Sequence, residues 1–239
     1  DLANRCYQSN VYPFSGFLNQ GDQALFFEME REVSFVPWVM FGGGEDCERR
    51  MLRFGSEEML GYEEEFPVSC LVVKPLVQKF ADNLTHRDFL GALMNLGIER
   101  DVLGDIIVKD NVGYVFCEDA MAAFLREHLD KVKHTSVLCG ITKQCPAETR
   151  PDFSEEELVV SAERCDAVAA KVYSLSRSQS VRLFQAKKVF VNGRQYENNS
   201  GVLKPGDVVS VRGFGKFVFD GILNETKKGR IRVRIRRYV

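Results

Sequence analysis

The sequence predicts an α+β protein of three folded parts, and three observations lead there. Residues 67–146 run through strand and helix signals in the order β-α-β-β-α-β. Residues 161–239 give two short helices followed by β-rich segments. A stretch rich in Pro and charge, TKQCPAETRPDFSEEE, stands between them as a linker over 147–160. The 239 residues, 45% hydrophobic and 28% charged, are enough to fill cores of this number and size.

Residues 1–66 read as a small α/β unit. LNQGDQALFFEMER predicts a helix entering a strand, and VSFVPWVMF is a β-rich apolar run with Pro37 at an edge or bulge. FGGGEDCERR turns through Gly42, Gly43 and Gly44 into a helix. In 67–146, PVSCLVV is a strand, and THRDFLGALMNLG is a helix capped by Thr85 and ended by Gly97. GDIIVK and VGYVFCE form a hairpin through Asp110-Asn111. DAMAAFLREHLDKV is a helix with Met121, Phe124, Leu125 and Leu129 on its apolar face, and HTSVLCGI is the last strand. This order is the split βαβ of ferredoxin-like and RNA-recognition-motif folds.

In 161–239, Cys165, Val168, Ala169 and Val172 share the inward face of one helix. Ser176 caps a second helix, which turns Val181, Phe184 and Gln185 inward. Asn192-Gly193 is a hairpin turn, and RIRVRIRRYV is a terminal strand.

The net charge of −2 hides a dipole. Residues 161–239 hold 17 Lys and Arg against 6 Asp and Glu, a balance of +11, which leaves −13 on the rest. Such asymmetry points to nucleic-acid contact by the basic part, and phosphate repulsion by the acidic part opposes indiscriminate binding. The seven cysteines show no CxxC pair and do not cluster with the three histidines, so reduced thiols and no metal site are expected. No apolar run nears the ~20 residues of a membrane helix, and no leader or lipidation motif is evident, so a cytoplasmic protein is expected.

RxDAV at Arg164, LSRS at Leu175, KVFVNG at Lys188 and PGDVVSVRG at Pro205 together resemble the S4 (alpha-L) RNA-binding domain. The resemblance implies two helices on a small sheet that binds structured RNA. Residue chemistry points the same way. Arg177 and Ser178 follow the Ser176 cap, where free backbone N–H groups and the helix dipole favour an anion. Arg164, Lys171, Arg182, Lys187 and Lys188 fall toward solvent, Arg194 follows the hairpin turn, and Arg212 and Lys216 flank Gly213-Phe214-Gly215. These, together with Ser176, are the candidate RNA contacts. Asp166 reads as a helix cap, and Asn192 and Gly193 as turn residues.

FGGGEDCERR, THRDFLGALMNLGIERDVLGDIIV and SVRGFGKF are similar to the YlmH family of bacterial S4 proteins over most of the chain from about residue 40. The resemblance implies a cytosolic protein, and with no nucleophile–base pair or metal-ligand set in the sequence, a non-catalytic monomer without cofactors is expected. It would bind rRNA or tRNA on large ribosomal subunits that still hold peptidyl-tRNA, as a quality-control factor. It also implies a link to cell division.

Other motifs compete. Gly42-Gly43-Gly44 lacks the Lys-Ser/Thr of a phosphate loop and reads as a turn, with Arg49 and Arg50 left as possible RNA contacts. His86-Arg87-Asp88 resembles a kinase triplet without its partners and reads as a helix start. Tyr114 and Phe116 share a strand face, as base-stacking rings do, or else pack on a neighbour. The alternative functions are a pseudouridine-synthase-like RNA-modifying enzyme with an appended S4 module and a cell-division accessory protein. No nucleophile–base pair is visible for the first.

Overall fold

The computed structural model describes every residue except Glu45, Lys227 and Lys228. The chain forms two compact units, Asp1–Arg150 and Pro151–Val239. The first holds α1 (Leu2–Ser9), α2 (Gln20–Met29), β1 (Trp38–Phe41), β2 (Met51–Phe54), α3 (Glu57–Leu60), β3 (Val68–Pro75), α4 (His86–Met94), β4 (Leu103–Lys109), β5 (Val112–Glu118), α5 (Asp119–His128), β6 (Lys131–Val132) and β7 (Thr135–Thr142). The second holds β8 (Phe153–Val160), α6 (Cys165–Val172), α7 (Arg177–Gln185), β9 (Val189–Val191), β10 (Arg194–Gln195), β11 (Asp207–Val211), β12 (Gly215–Glu225) and β13 (Ile231–Tyr238). No described helix is long and apolar enough to cross a membrane.

In the first unit an antiparallel sheet runs in the order β4-β5-β3-β7-β6. Helices α4 and α5 cover one face, where Phe89, Leu93 and Leu125 meet Leu71, Val73 and Val115. Local chemistry sets the borders. Thr85 and Asp88 make a reciprocal capping box at the start of α4. Asp110 and Asn111 both take positive φ, 52° and 62°, as a two-residue hairpin turn requires.

The opposite sheet face is covered too. Val68, Cys70, Tyr114 and Phe116 pack beneath Phe17, Cys47 and Met51. Residues 1–66 are therefore built onto this sheet, which explains why VSCLVV is apolar at consecutive positions instead of alternating. The β-rich run yields strand only from Trp38, after Pro37. The expected helix after the glycines does not form among the described residues of 42–50. The Asp105 carboxylate accepts the backbone N–H groups of Glu48 and Arg49, at 2.6 and 3.0 Å, and holds a turn there. Gly43 is needed in that turn. Its φ is 100°, and a Cβ would lie 2.2 Å from the Phe116 ring.

In the second unit one antiparallel sheet runs β10-β9-β11-β12-β13-β8. Helices α6 and α7 lie on it through Cys165, Val168, Val172 and Phe184, against Val209, Phe217, Phe219 and Ile235. On α7 the buried pair is Ser180 and Phe184, and Gln185 is exposed, so the inward face is rotated from the expected one. The Ser180 hydroxyl is satisfied by donating to the Asp166 carbonyl at 2.8 Å.

The expected linker needs correction at its C-terminal half. Residues 153–160 are β8, paired with β13 from Phe153↔Tyr238 to Val160↔Ile231. The acidic run EEE is no solvated spacer, because it stands opposite the arginines of the terminal strand.

Candidate nucleic-acid interface

Helix α7 begins at Arg177, one residue after its cap. The Ser176 hydroxyl accepts the Gln179 N–H at 3.2 Å, and the Gln179 side chain accepts the Ser176 N–H at 2.8 Å. The backbone N–H groups of Arg177 and Ser178 make no hydrogen bond among the described residues, and both side chains are exposed. Two open donors, a helix dipole and a guanidinium thus meet at one place. Ser178, Arg182 and Gln185 continue from it as an exposed stripe at i, i+4, i+7.

The cations of this unit fall into two sets. Those of β13 are neutralised within the fold. Arg232 and Arg234 pair with Glu157 at 3.6 and 3.7 Å, and Arg236 forks onto Asp220 at 3.0 Å. Arg237 forks onto Glu156 at 2.7 and 3.1 Å and donates to the Val172 carbonyl at the end of α6. In contrast Lys171, Arg177, Arg182 and Lys188 are exposed and form no ion pair among the described residues. The unit carries 17 Lys and Arg against 10 Asp and Glu, a balance of +7, while Asp1–Arg150 carries −9. Glu156, Glu157 and Asp220 are thus taken up by β13, and exposed cations without an ion pair remain along α6 and α7 and just after α7.

Other candidate residues have internal roles. Arg164 is committed. Its guanidinium forks onto Asp166, with one contact at 3.0 Å, and Asp166 is 1% exposed. Asp166 is thus a buried anchor and not a cap of solvent N–H groups. It accepts the Asn199 side chain as well, while the Cys165 N–H bonds the Gly201 carbonyl at 2.8 Å. Burial of this carboxylate requires its cation. Lys187 pairs with Glu197 at 3.3 Å. Arg212 lies over the Phe190 ring at 4.6 Å, and Lys216 over the Tyr238 ring at 5.6 Å. Arg194 is exposed on β10. The Asn192 side chain accepts the Val208 N–H and donates to Asp207, so it braces the hairpin.

In the first unit the tempting motifs resolve into packing. Tyr114 and Phe116 are buried and offer no ring face to a base. Arg49 donates to the carbonyls of Leu103, Phe17 and Arg100 at 2.8–2.9 Å, and Arg50 to that of Cys47, so both brace the glycine turn. Asp88 is held by Thr85, whose hydrogen bonds lower its pKa from the ordinary carboxylate value, and it serves the start of α4. All seven cysteines are free thiols. Burial pushes Cys47, Cys70, Cys117 and Cys165 up to about 12, so these stay protonated at neutral pH.

Residues 62–144 match the family described as "Putative RNA-binding domain in YlmH". Over 222 residues the chain is 31% identical to the ribosome-associated protein quality control protein P2 of Bacillus subtilis (strain 168), covering 92% of this chain and 85% of that protein. Among solved structures, the cell division protein ylmH from Streptococcus pneumoniae matches with a TM-score of 0.47 and 21% identity, over 62% of this chain and 87% of that one.

Proposed function

The chain belongs to the YlmH family, and from that premise we propose that it is a non-catalytic RNA-binding protein of the large ribosomal subunit. It acts on stalled particles that retain peptidyl-tRNA, in rescue or quality control. Its second unit is an S4-type domain, and residues 67–146 are a ferredoxin-like domain. The observation that carries this function is the sorting of charge. Glu156, Glu157 and Asp220 occupy the β13 arginines, while Lys171, Arg177, Arg182 and Lys188 stay exposed and form no ion pair among the described residues. A phosphate at the α7 start would take the open N–H groups of Arg177 and Ser178 together with the Arg177 fork. The relative from Bacillus subtilis is named for ribosome-associated quality control, which supports the same partner. Asp88, the acid of the one catalytic-looking triplet, is tied into a capping box, which favours binding over catalysis.

The test is co-sedimentation of the full chain with separated ribosomal subunits, with and without peptidyl-tRNA. Binding to the large subunit, stronger with peptidyl-tRNA and falling steeply with salt, is the expected result. Equal binding to both subunits, or none, would contradict the proposal.

A further inference from the structure

One end of the β4-β5-β3-β7-β6 sheet in the first unit carries a second surface. Residues 76–84 cross that end on fixed anchors. The Leu76 N–H donates to Ser136 at 2.9 Å, the Gln78 side chain to Asp110 at 2.9 Å, and the Leu84 N–H to the Asn111 side chain at 3.0 Å. Between these anchors the segment turns its apolar side chains outward. Leu76 and Val77 are 60% and 53% exposed, and Phe80, at 80%, is the most exposed large apolar side chain among the described residues. Lys79 stands 5.9 Å from the centre of the Phe80 ring. Leu76, Val77 and Phe80 thus form an exposed apolar patch on an anchored loop, with Lys79 beside the ring, as a contact surface requires.

The same end holds a groove of about 470 Å³ lined by Arg87, His128, Lys131 and Lys133, with Asp88 and Asp130. Loop and groove are clamped together, because Asp82 accepts the His134 N–H at 3.2 Å and the Thr135 hydroxyl at 3.1 Å. Residues 74–88 and 130–134 together carry five Lys and Arg against three Asp, +2 within a unit of −9. Two of those aspartates, Asp82 and Asp88, are occupied by hydrogen bonds.

We propose that this end of the sheet binds a single-stranded RNA segment, with Phe80 stacked on a base and the Arg87–Lys131–Lys133 groove facing its phosphates. The proposal rests on the RNA-binding function above and gives the first unit its own contact. An exposed ring beside a cationic groove is how sequence-tolerant single-strand sites are built. The rings on the sheet face, Tyr114 and Phe116, are buried, and Tyr62, 41% exposed, packs edge-on against Tyr12, so among the described residues of the segment that matches an RNA-binding family, residues 62–144, Phe80 is the most exposed Phe or Tyr ring.

The experiment uses the full chain and a fluorescently labelled, mixed-sequence single-stranded RNA of about ten nucleotides, within the usual site-size range. Phe80→Ala is expected to weaken binding about 5- to 150-fold, the scale of one stacked base. Its melting temperature should match that of the unaltered protein, since the ring is exposed. Phe80→Trp should keep the affinity and lose fluorescence when RNA is added. Unchanged affinity in Phe80→Ala, with Arg177→Ala still weakening RNA binding, overturns this proposal and spares the α7 site. No RNA binding by the unaltered chain overturns both. Loss of ribosome binding in Phe80→Ala with intact affinity for the free oligonucleotide assigns the patch to a ribosomal protein and overturns the RNA assignment.

Discussion

A fragment that starts at Ser161 is expected to be about 4–6 kcal/mol less stable than one that starts at Pro151. The difference is comparable to the whole stability of a small domain. Strand β8 supplies Val160, 3% exposed, and the partly buried Leu158 to the core under α6 and α7. Two such aliphatic side chains contribute about 3–5 kcal/mol. Removing β8 also bares the β13 edge and takes Glu156 and Glu157 from Arg232, Arg234 and Arg237. Exposed pairs of this kind are worth roughly 0–1 kcal/mol each, so the apolar loss dominates. Urea denaturation followed by circular dichroism compares the two fragments. Coincident midpoints would mean that β8 is dispensable and that the domain does begin at Ser161.

Phe116→Ala is expected to destabilise the first unit by about 3–5 kcal/mol, as for a large ring removed from a packed core. The ring is 1% exposed, between the sheet and the turn at Gly43. At a temperature where the variant is still folded, its affinity for single-stranded RNA should equal that of the unaltered chain. The opposite pattern, weak RNA binding at full stability, would mean that the sheet face is open and that Phe116 stacks a base.

The two outcomes differ because they probe what local sequence does and does not reveal. Helix α4, helix α7 and the Asp110-Asn111 turn were legible because their signals lie within a few residues. Ser176 and Gln179, or Thr85 and Asp88, close a capping box across one turn. Strand β8 was half masked by composition. LVVSA reads as a short strand, but FSEEE before it reads as a polar spacer until it is set against the arginines of IRVRIRRY, where Glu156 meets Arg237. The helix expected after Gly44 fails for a similar reason, since Asp105, 56 residues from Arg49, captures the turn. Continuous apolar character in VSCLVV was the one local sign that both faces of its sheet are covered. At the candidate interface, the open start of α7 follows from the cap. The withdrawal of Arg164 depends on the burial of Asp166, and burial is a tertiary property that no two-residue spacing discloses.

The claim that one phosphate is held at the start of α7 is tested most directly by comparing Arg177→Ala with Arg230→Ala in binding to large ribosomal subunits across a salt series. Both arginines are exposed, and neither forms an ion pair among the described residues. Arg230 directly precedes β13 and belongs to neither helix. Arg177→Ala should weaken binding by about 1–3 kcal/mol and lower the salt slope by about one unit, with little change in melting temperature. Arg230→Ala should produce a much smaller loss. Equal losses from the two substitutions would show a diffuse basic surface and contradict a phosphate site at Arg177.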